Sequence, residues 1–197
     1  MASPSPRHVL LVVAVSLSLF LYSPSPTEAA TPYAPSPSPT AHSTPELVEH
    51  VCSQTDVYEF CMKALRSDRR TASAPDLLAI AKIALGLAAA NATNVRKYIE
   101  GMVKRRNMIK PAALKAALEK CVSWYDAVFY SFRSSLAEVE IDAMTANYDA
   151  MVAGDYVLSC EKEVSSRGVS VPSISAKSEV MMHFVKIGST VTDLLWT

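Results

Sequence analysis

The sequence predicts an all-α protein: an up-down-up-down four-helix bundle preceded by a short N-terminal helical hairpin, with two disulfides. Three observations carry this reading. Four long segments place apolar residues at steps of three and four, the spacing that keeps one helix face turned to a core. Glycine is scarce, five in 197 residues, while alanine and leucine are frequent, a composition that suits helices. Four cysteines, Cys52, Cys61, Cys121 and Cys160, follow an apolar N-terminal run of the kind that directs export into an oxidising compartment.

The hairpin comes first. Thr44 can cap a helix, Pro45 suits its first turn and Glu46 favours the dipole there, so 45–53 reads as a short helix. Asp56 and Glu59 form a variant of the capping box and open a second one, to about Arg66. Ser67 to Ala74 is polar and precedes Pro75, which makes it a connection. The first long helix runs from Pro75 to about Arg105, with Leu77, Ile80, Ala84, Leu87, Ala88, Val95, Ile99 and Met102 inward. The second opens at Pro111 and turns Leu114, Leu118, Cys121, Tyr125, Val128, Phe132 and Leu136 inward. The third spans about Asp142 to Ser166, with Met144, Tyr148, Met151, Val157, Leu158 and Val164 as its core face and a bend expected at Gly154. Gly168 and Pro172 punctuate its end. The fourth starts near Ser175 and directs Val180, Phe184, Ile187, Val191 and Leu194 inward. Short links between long amphipathic helices make neighbours antiparallel, which gives the bundle.

Residues 1–29 read as a signal peptide. Val9–Tyr22 is apolar but short of the ~20 residues that a membrane span needs. Ala29 offers a small residue before a cut, so the mature chain is expected to begin near Ala30. No second apolar run reads as a span. Residues 30–45 are a Pro/Ser-rich spacer without enough apolar surface to fold, and 46–196 form the helical domain. Basic and acidic side chains number 19 each. Residues 1–29 remove one of each, Arg7 and Glu28, so the remainder stays balanced. That argues against nucleic acid and against a polybasic membrane surface as partners. Lys104-Arg105-Arg106-Asn107 and Lys110 read as a helix C-terminus that favours the dipole, followed by a solvated turn.

Four cysteines allow three pairings. Cys52–Cys61 would staple a hairpin too small to hold a core of its own. Cys121–Cys160 would tie the second bundle helix to the third, worth about 4 kcal/mol in the chain-entropy account. The crossed pairings need close contact between hairpin and bundle at two points. The local plus long-range pair is therefore preferred, with the others left open.

Around the cysteines the residues become specific. Leu47-Val-Glu-His-Val-Cys52-Ser-Gln-Thr55-Asp-Val-Tyr58-Glu-Phe-Cys61-Met-Lys-Ala-Leu65 resembles the opening of the plant invertase and pectin methylesterase inhibitor family. Ser67-Asp68-Arg69-Arg70 and Asp76-Leu77-Leu78-Ala79-Ile80-Ala81 resemble the family's link and the start of its first bundle helix. Leu118-Glu-Lys-Cys121 with Tyr125-Asp126-Ala127-Val128, and Ser159-Cys160-Glu161, resemble its third- and fourth-cysteine motifs. The resemblance covers roughly residues 46–196. It implies the fold described above, the pairings Cys52–Cys61 and Cys121–Cys160, and a secreted inhibitor that forms a 1:1 complex by covering an enzyme's active-site cleft. The implied target is pectin methylesterase or invertase, and the implied location is the apoplast and cell wall, or the vacuole. Invertase inhibitors of the family carry Pro-Lys-Phe entering the third bundle helix; here the region reads Asp142-Ala143-Met144-Thr145. The Ser-Ala-Ala-Leu run of many esterase inhibitors is replaced by Asp149-Ala150-Met151-Val152-Ala153. Pectin methylesterase is the favoured target and invertase the alternative. A non-inhibitory secreted wall-binding protein is a reading of a different class.

The outward faces of the second and third bundle helices are the expected enzyme contact, with Glu140, Asp142, Asn147, Tyr148, Asp149 and Asp155 as candidates, because polar and amphipathic groups suit a polysaccharide cleft. Asn91-Ala92-Thr93 is a glycosylation sequon, with Asn91 as acceptor. No Gly-x-Ser-x-Gly elbow, Walker loop or His-Glu-x-x-His pair occurs, and the histidines are isolated, so neither catalysis nor a cofactor is expected. His50, Cys52 and Cys61 do not have zinc-site spacing, so no metal is expected either. N-terminal sequencing of the protein secreted by a plant-cell host is expected to begin near Ala30; an intact Met1 overturns the signal-peptide reading.

Overall fold

The computed structural model describes residues 43–105, 112–168 and 170–197. The signal peptide, nearly all of the Pro/Ser-rich spacer, and residues 106–111 of the basic stretch lie outside them. Among the described residues six α-helices follow one another: α1 (Thr44–Ser53), α2 (Tyr58–Arg66), α3 (Leu77–Arg105), α4 (Ala112–Glu138), α5 (Ala143–Ser166) and α6 (Pro172–Asp193), with a 3-10 helix at Arg69–Ser73 between α2 and α3. No strand occurs among the described residues. Sequential long helices are neighbours, α3 on α4, α4 on α5 and α5 on α6, and α6 closes the square against α3. This is the expected four-helix bundle.

Several helix starts differ from the sequence reading, because side chains found other partners. Ser43, not Thr44, caps α1: its N–H donates to Glu46 Oε2 at 2.7 Å, while the Thr44 hydroxyl donates to the Ala74 carbonyl. Thr44 and Pro45 therefore belong to the first helix rather than to the spacer. Asp56 caps nothing. Its carboxylate pairs with Lys186 of α6, and α2 starts after Val57 without a side-chain cap. The polar connection after Arg66 is ordered as the 3-10 helix, with the Asp68 carboxylate accepting from Arg70 N. Asp76 Oδ1 accepts from Ala79 N at 2.8 Å, which sets the start of α3 two residues past Pro75. Pro172 opens α6 at its first position, where a missing N–H costs nothing. Gly168 follows α5 at φ +65°, a conformation that a side chain would resist.

Cys52–Cys61 locks α1 to α2 with Cα atoms 5.5 Å apart. The stapled hairpin rests on α6, where the Phe60 ring meets His183 and Phe184 edge-on at 4.9 and 5.2 Å. The bundle core is built from Ile80, Leu85, Ile99, Leu118, Tyr125, Phe132, Met181 and Ile187, all fully buried. The Tyr125 hydroxyl finds Ser178 Oγ at 3.0 Å, as a buried phenol requires. Helix α3 is long and apolar enough to pass as a membrane span, contrary to the expectation that no second run would. Its apolar side faces this core.

The largest departure lies in α5. Cys121–Cys160 holds α4 and α5 with Cα atoms only 4.7 Å apart. The buried residues of α5 share the Cys160 face and are mostly small: Ala146, Ala150, Ala153, Gly154, Val157, Cys160 and Val164. Helix α5 runs unbroken across Gly154. This glycine serves close packing: a Cβ there would stand 3.2 Å from Val185 Cγ1. On α6, a Cβ at Gly188 would stand 3.3 Å from both Leu85 and Phe132 and 3.7 Å from Ala150. Of the expected inner face only Val157 and Val164 are inside; Met144, Tyr148, Met151 and Leu158 point outward. Helix α6 buries the expected Ile187 and Val191 but adds Ile174, Ser178, Met181, Val185 and Gly188, while Val180, Phe184 and Leu194 are half-buried. Leu85 and Phe132 are fully buried and cannot retreat. Gly188→Val is therefore expected to destabilise the fold by about 2–3 kcal/mol, measured by chemical denaturation; an unchanged midpoint refutes the close-packing account.

Candidate functional site

Helix α5 presents a row of large apolar side chains to solvent. Ile141 in the turn before it is 87% exposed, and Met144, Tyr148, Met151 and Leu158 are 58%, 65%, 56% and 55% exposed. With Asp155 they recur at alternating steps of three and four. Five large apolar groups in one line, interrupted by Asp155, are an exposed apolar stripe of the kind that marks an interaction surface. At the upper end, Ile141 and Met144 join Leu78, Leu195 and Trp196 around a shallow cavity of about 440 Å³. Trp196 is itself 52% exposed.

The geometry behind this row is simple. A helix turns about 100° per residue. Cys160 must face α4, because its sulfur is bonded there. Leu158, Met151 and Met144 then lie roughly 160–200° away, on the opposite side. The disulfide therefore fixes the rotation of α5, and the rotation exposes the row. Ser135 Oγ donates to the Ala146 carbonyl at 2.7 Å and fastens α4 to α5 a second time. Trp124 and Tyr156 stack across the same joint at 5.9 Å.

The six polar candidates divide. Tyr148 stands in the row and Asp155 is exposed within it. Glu140 is exposed in the α4–α5 turn and bonded to Lys82 Nζ at 2.6 Å. Asp142 caps α5, accepting from Thr145 N at 3.0 Å and from Thr145 Oγ1 at 2.7 Å. The Thr145 backbone bond, with the hydroxyl bond beside it, holds this carboxyl below the usual aspartate range, so it stays charged at the tip. Asp149 is half-buried at the flank. Asn147 is not part of this surface. Its Nδ2 donates to the Ser189 carbonyl at 2.6 Å and to Thr192 Oγ1 at 3.1 Å, so it joins α5 to α6. The sequence reading missed Ile141, Met144, Met151 and Leu158 as surface groups. Their signal was available in the alternative small-residue stripe that shares a face with Cys160.

Other groups offer little chemistry. Burial pushes the Tyr125 phenol up to about 12, so it remains un-ionised in physiological conditions. No cluster of three or more His, Cys, Asp or Glu side chains suited to a metal ion occurs among the described residues. Asn91 lies mid-helix in α3, half-buried, with its Oδ1 in the interior.

The chain belongs to the plant invertase/pectin methylesterase inhibitor family, whose sequence profile matches residues 46–191. It is 31% identical over 119 residues to the cell wall / vacuolar inhibitor of fructosidase 2 of Arabidopsis thaliana, a match that spans 60% of this chain and 64% of that protein. It is 27% identical over 140 residues to a putative invertase inhibitor of Platanus orientalis, covering 70% of this chain and 79% of that one. Two crystal structures of a pectin methylesterase inhibitor share the fold: a mutant form A from Arabidopsis, with a TM-score of 0.60 at 22% identity over 73% of this chain and 93% of that one, and an Arabidopsis thaliana protein, with a TM-score of 0.56 at 21% identity over 77% and 97%.

The outward assignment of the α5 row is open to a direct check. Met151→Ser and Leu158→Ser are expected to change the unfolding free energy by less than about 0.5 kcal/mol each, whereas Val157→Ser, between them in sequence but buried, costs about 2–4 kcal/mol. Equal losses at all three positions refute it.

Proposed function

We propose that this protein is a secreted inhibitor of pectin methylesterase that covers the enzyme's active-site cleft in a 1:1 complex, using the α4–α5 turn and the outer face of α5. The observation that carries the proposal is the composition of that face. Glu140, Asp142, Asp149 and Asp155 alternate along it with Ile141, Met144, Tyr148, Met151 and Leu158. Partly esterified pectin has the same chemistry, free carboxylates interspersed with apolar methyl esters. A cleft that accepts such a polymer accommodates both features. Tyr148 and the methionines supply contact area that is rigid in one case and adaptable in the other. The protein's part is occlusion, with no bond made or broken. The cell wall is the proposed location and the vacuole the alternative.

Invertase is the second reading, favoured by the names of the two relatives. Against it stands the tip of α5. Glycosidases commonly work with a pair of carboxyl groups, and the acidic Glu140 and Asp142 are poorly matched to such a pocket.

Titrating the purified protein against both enzymes decides between them. Saturation of the esterase at one equivalent, with invertase unaffected, is the expected result; the reverse overturns the assignment of target. Tyr148→Ala is expected to weaken esterase inhibition by about 2 kcal/mol, roughly thirtyfold, while leaving the melting temperature unchanged. Full inhibition by this variant removes the α5 face from the interface.

A further inference from the structure

We propose that the outer face of α5 also pairs with the same face of a second copy of this chain, in an antiparallel and reversible dimer. A narrow apolar line with alternating three- and four-residue steps is the spacing of a coiled-coil seam rather than of a broad core face. On α5 and the turn before it this line is mostly turned to solvent, with only its Ile141–Met144 end beside Leu78, Leu195 and Trp196. From Ile141 through Met144, Tyr148, Met151 and Asp155 to Leu158 the steps are three, four, three, four and three. That series reads the same in both directions. A two-fold axis crossing α5 between Asp149 and Ala150 therefore sets Tyr148 against Met151 of the second copy and Ile141 against Leu158 of the second copy, each contact occurring twice, as an isologous interface requires. Met144 meets Asp155 of the second copy, the weakest layer.

Charge selects the antiparallel direction. One end of the seam carries Glu140 and Asp142; four residues beyond Leu158, at the other end, stands the exposed Lys162. Antiparallel pairing brings that lysine toward the acidic turn of the second copy. Parallel pairing would set Lys162 against Lys162, Asp155 against Asp155, and the two acidic turns against each other. The balanced charge of the whole chain, 19 basic against 19 acidic side chains, adds no general repulsion.

Area sets the strength. At their observed exposures the five apolar side chains offer roughly 600 Å² per copy. A stable interface uses about 800 Å² from each partner. The seam falls somewhat short, which makes the dimer weak and easily dissociated. The same side chains are those proposed above for the esterase. If that proposal holds, dimerisation holds back inhibitor at high local concentration and releases it on dilution. The pairing itself does not depend on the identity of the target.

Sedimentation velocity on the secreted, purified protein from about 1 µM to about 200 µM tests the proposal, with an expected dissociation constant of about 10–100 µM. Met151→Glu, at an exposed position, is expected to weaken association at least tenfold while the circular dichroism spectrum stays native. A wild-type protein that is monomeric throughout overturns the proposal, as does a dimer that Met151→Glu leaves intact. Orientation is read separately by mixing Ile141→Cys with Leu158→Cys under mild oxidation. Cross-linked mixed dimers are expected in preference to either self-linked product; preferential self-linking overturns the antiparallel arrangement. Enzyme titrations are run at nanomolar inhibitor, where the dimer is dissociated. Failure there counts against the proposed target and leaves the dimer standing.

Discussion

The Cys121–Cys160 bond is the constraint on which the exposed apolar row of α5 depends. It joins two helices at a Cα separation of 4.7 Å, toward the near end of the ~4.4–6.8 Å that disulfides span. It turns the Cys160 face of α5 inward, and with it Ala146, Ala150, Ala153, Gly154, Val157 and Val164. With that face inside, the large apolar residues on the opposite side of α5 have no place in the core. They stand outward instead, and a helix that could have been plain structural support becomes a candidate interaction surface.

The other joints serve this one. Gly188 on α6 and Gly154 on α5 permit the same close approach on the second side. Asn147 bridges α5 to α6, and Ser135 bridges α4 to α5. These bonds fix the rotation and height of α5 against its neighbours, so its outer row is held on a rigid element. A backbone held in this way loses little conformational freedom on binding, which removes one of the costs of association. The hairpin is stapled by its own disulfide and anchored to α6 through Phe60 and the Asp56–Lys186 pair.

Particular residues show how much was legible in advance. On α4, Leu114, Leu118, Cys121, Tyr125, Val128 and Phe132 were read as core and are buried, because there the large apolar residues and the disulfide cysteine fall on one face. On α5 those two signals conflict. Met144, Tyr148, Met151 and Leu158 mark one face, while Cys160 with its alanines marks the opposite one. Hydrophobicity favours the first and the covalent bond enforces the second. Asp56 taught a smaller lesson: its spacing to Glu59 suited a cap, but Lys186, 130 positions later in the chain, took its carboxylate. Tyr148 fits both stripes by pattern, as core and as contact, and stands outward; Asp155 is exposed beside it, whereas Asn147, equally polar, is engaged with α6.

What the sequence determined by itself is the helical architecture, the cysteine frame and the family, because helix periodicity and cysteine spacing are local properties of the chain. What only the tertiary structure decided is which side of α5 faces the world. A helix carrying two apolar stripes has two nearly equivalent rotations, and local pattern cannot choose between them. The choice came from contacts across the bundle: the disulfide to α4, the two glycine-permitted approaches to α6, and the space left when those are satisfied.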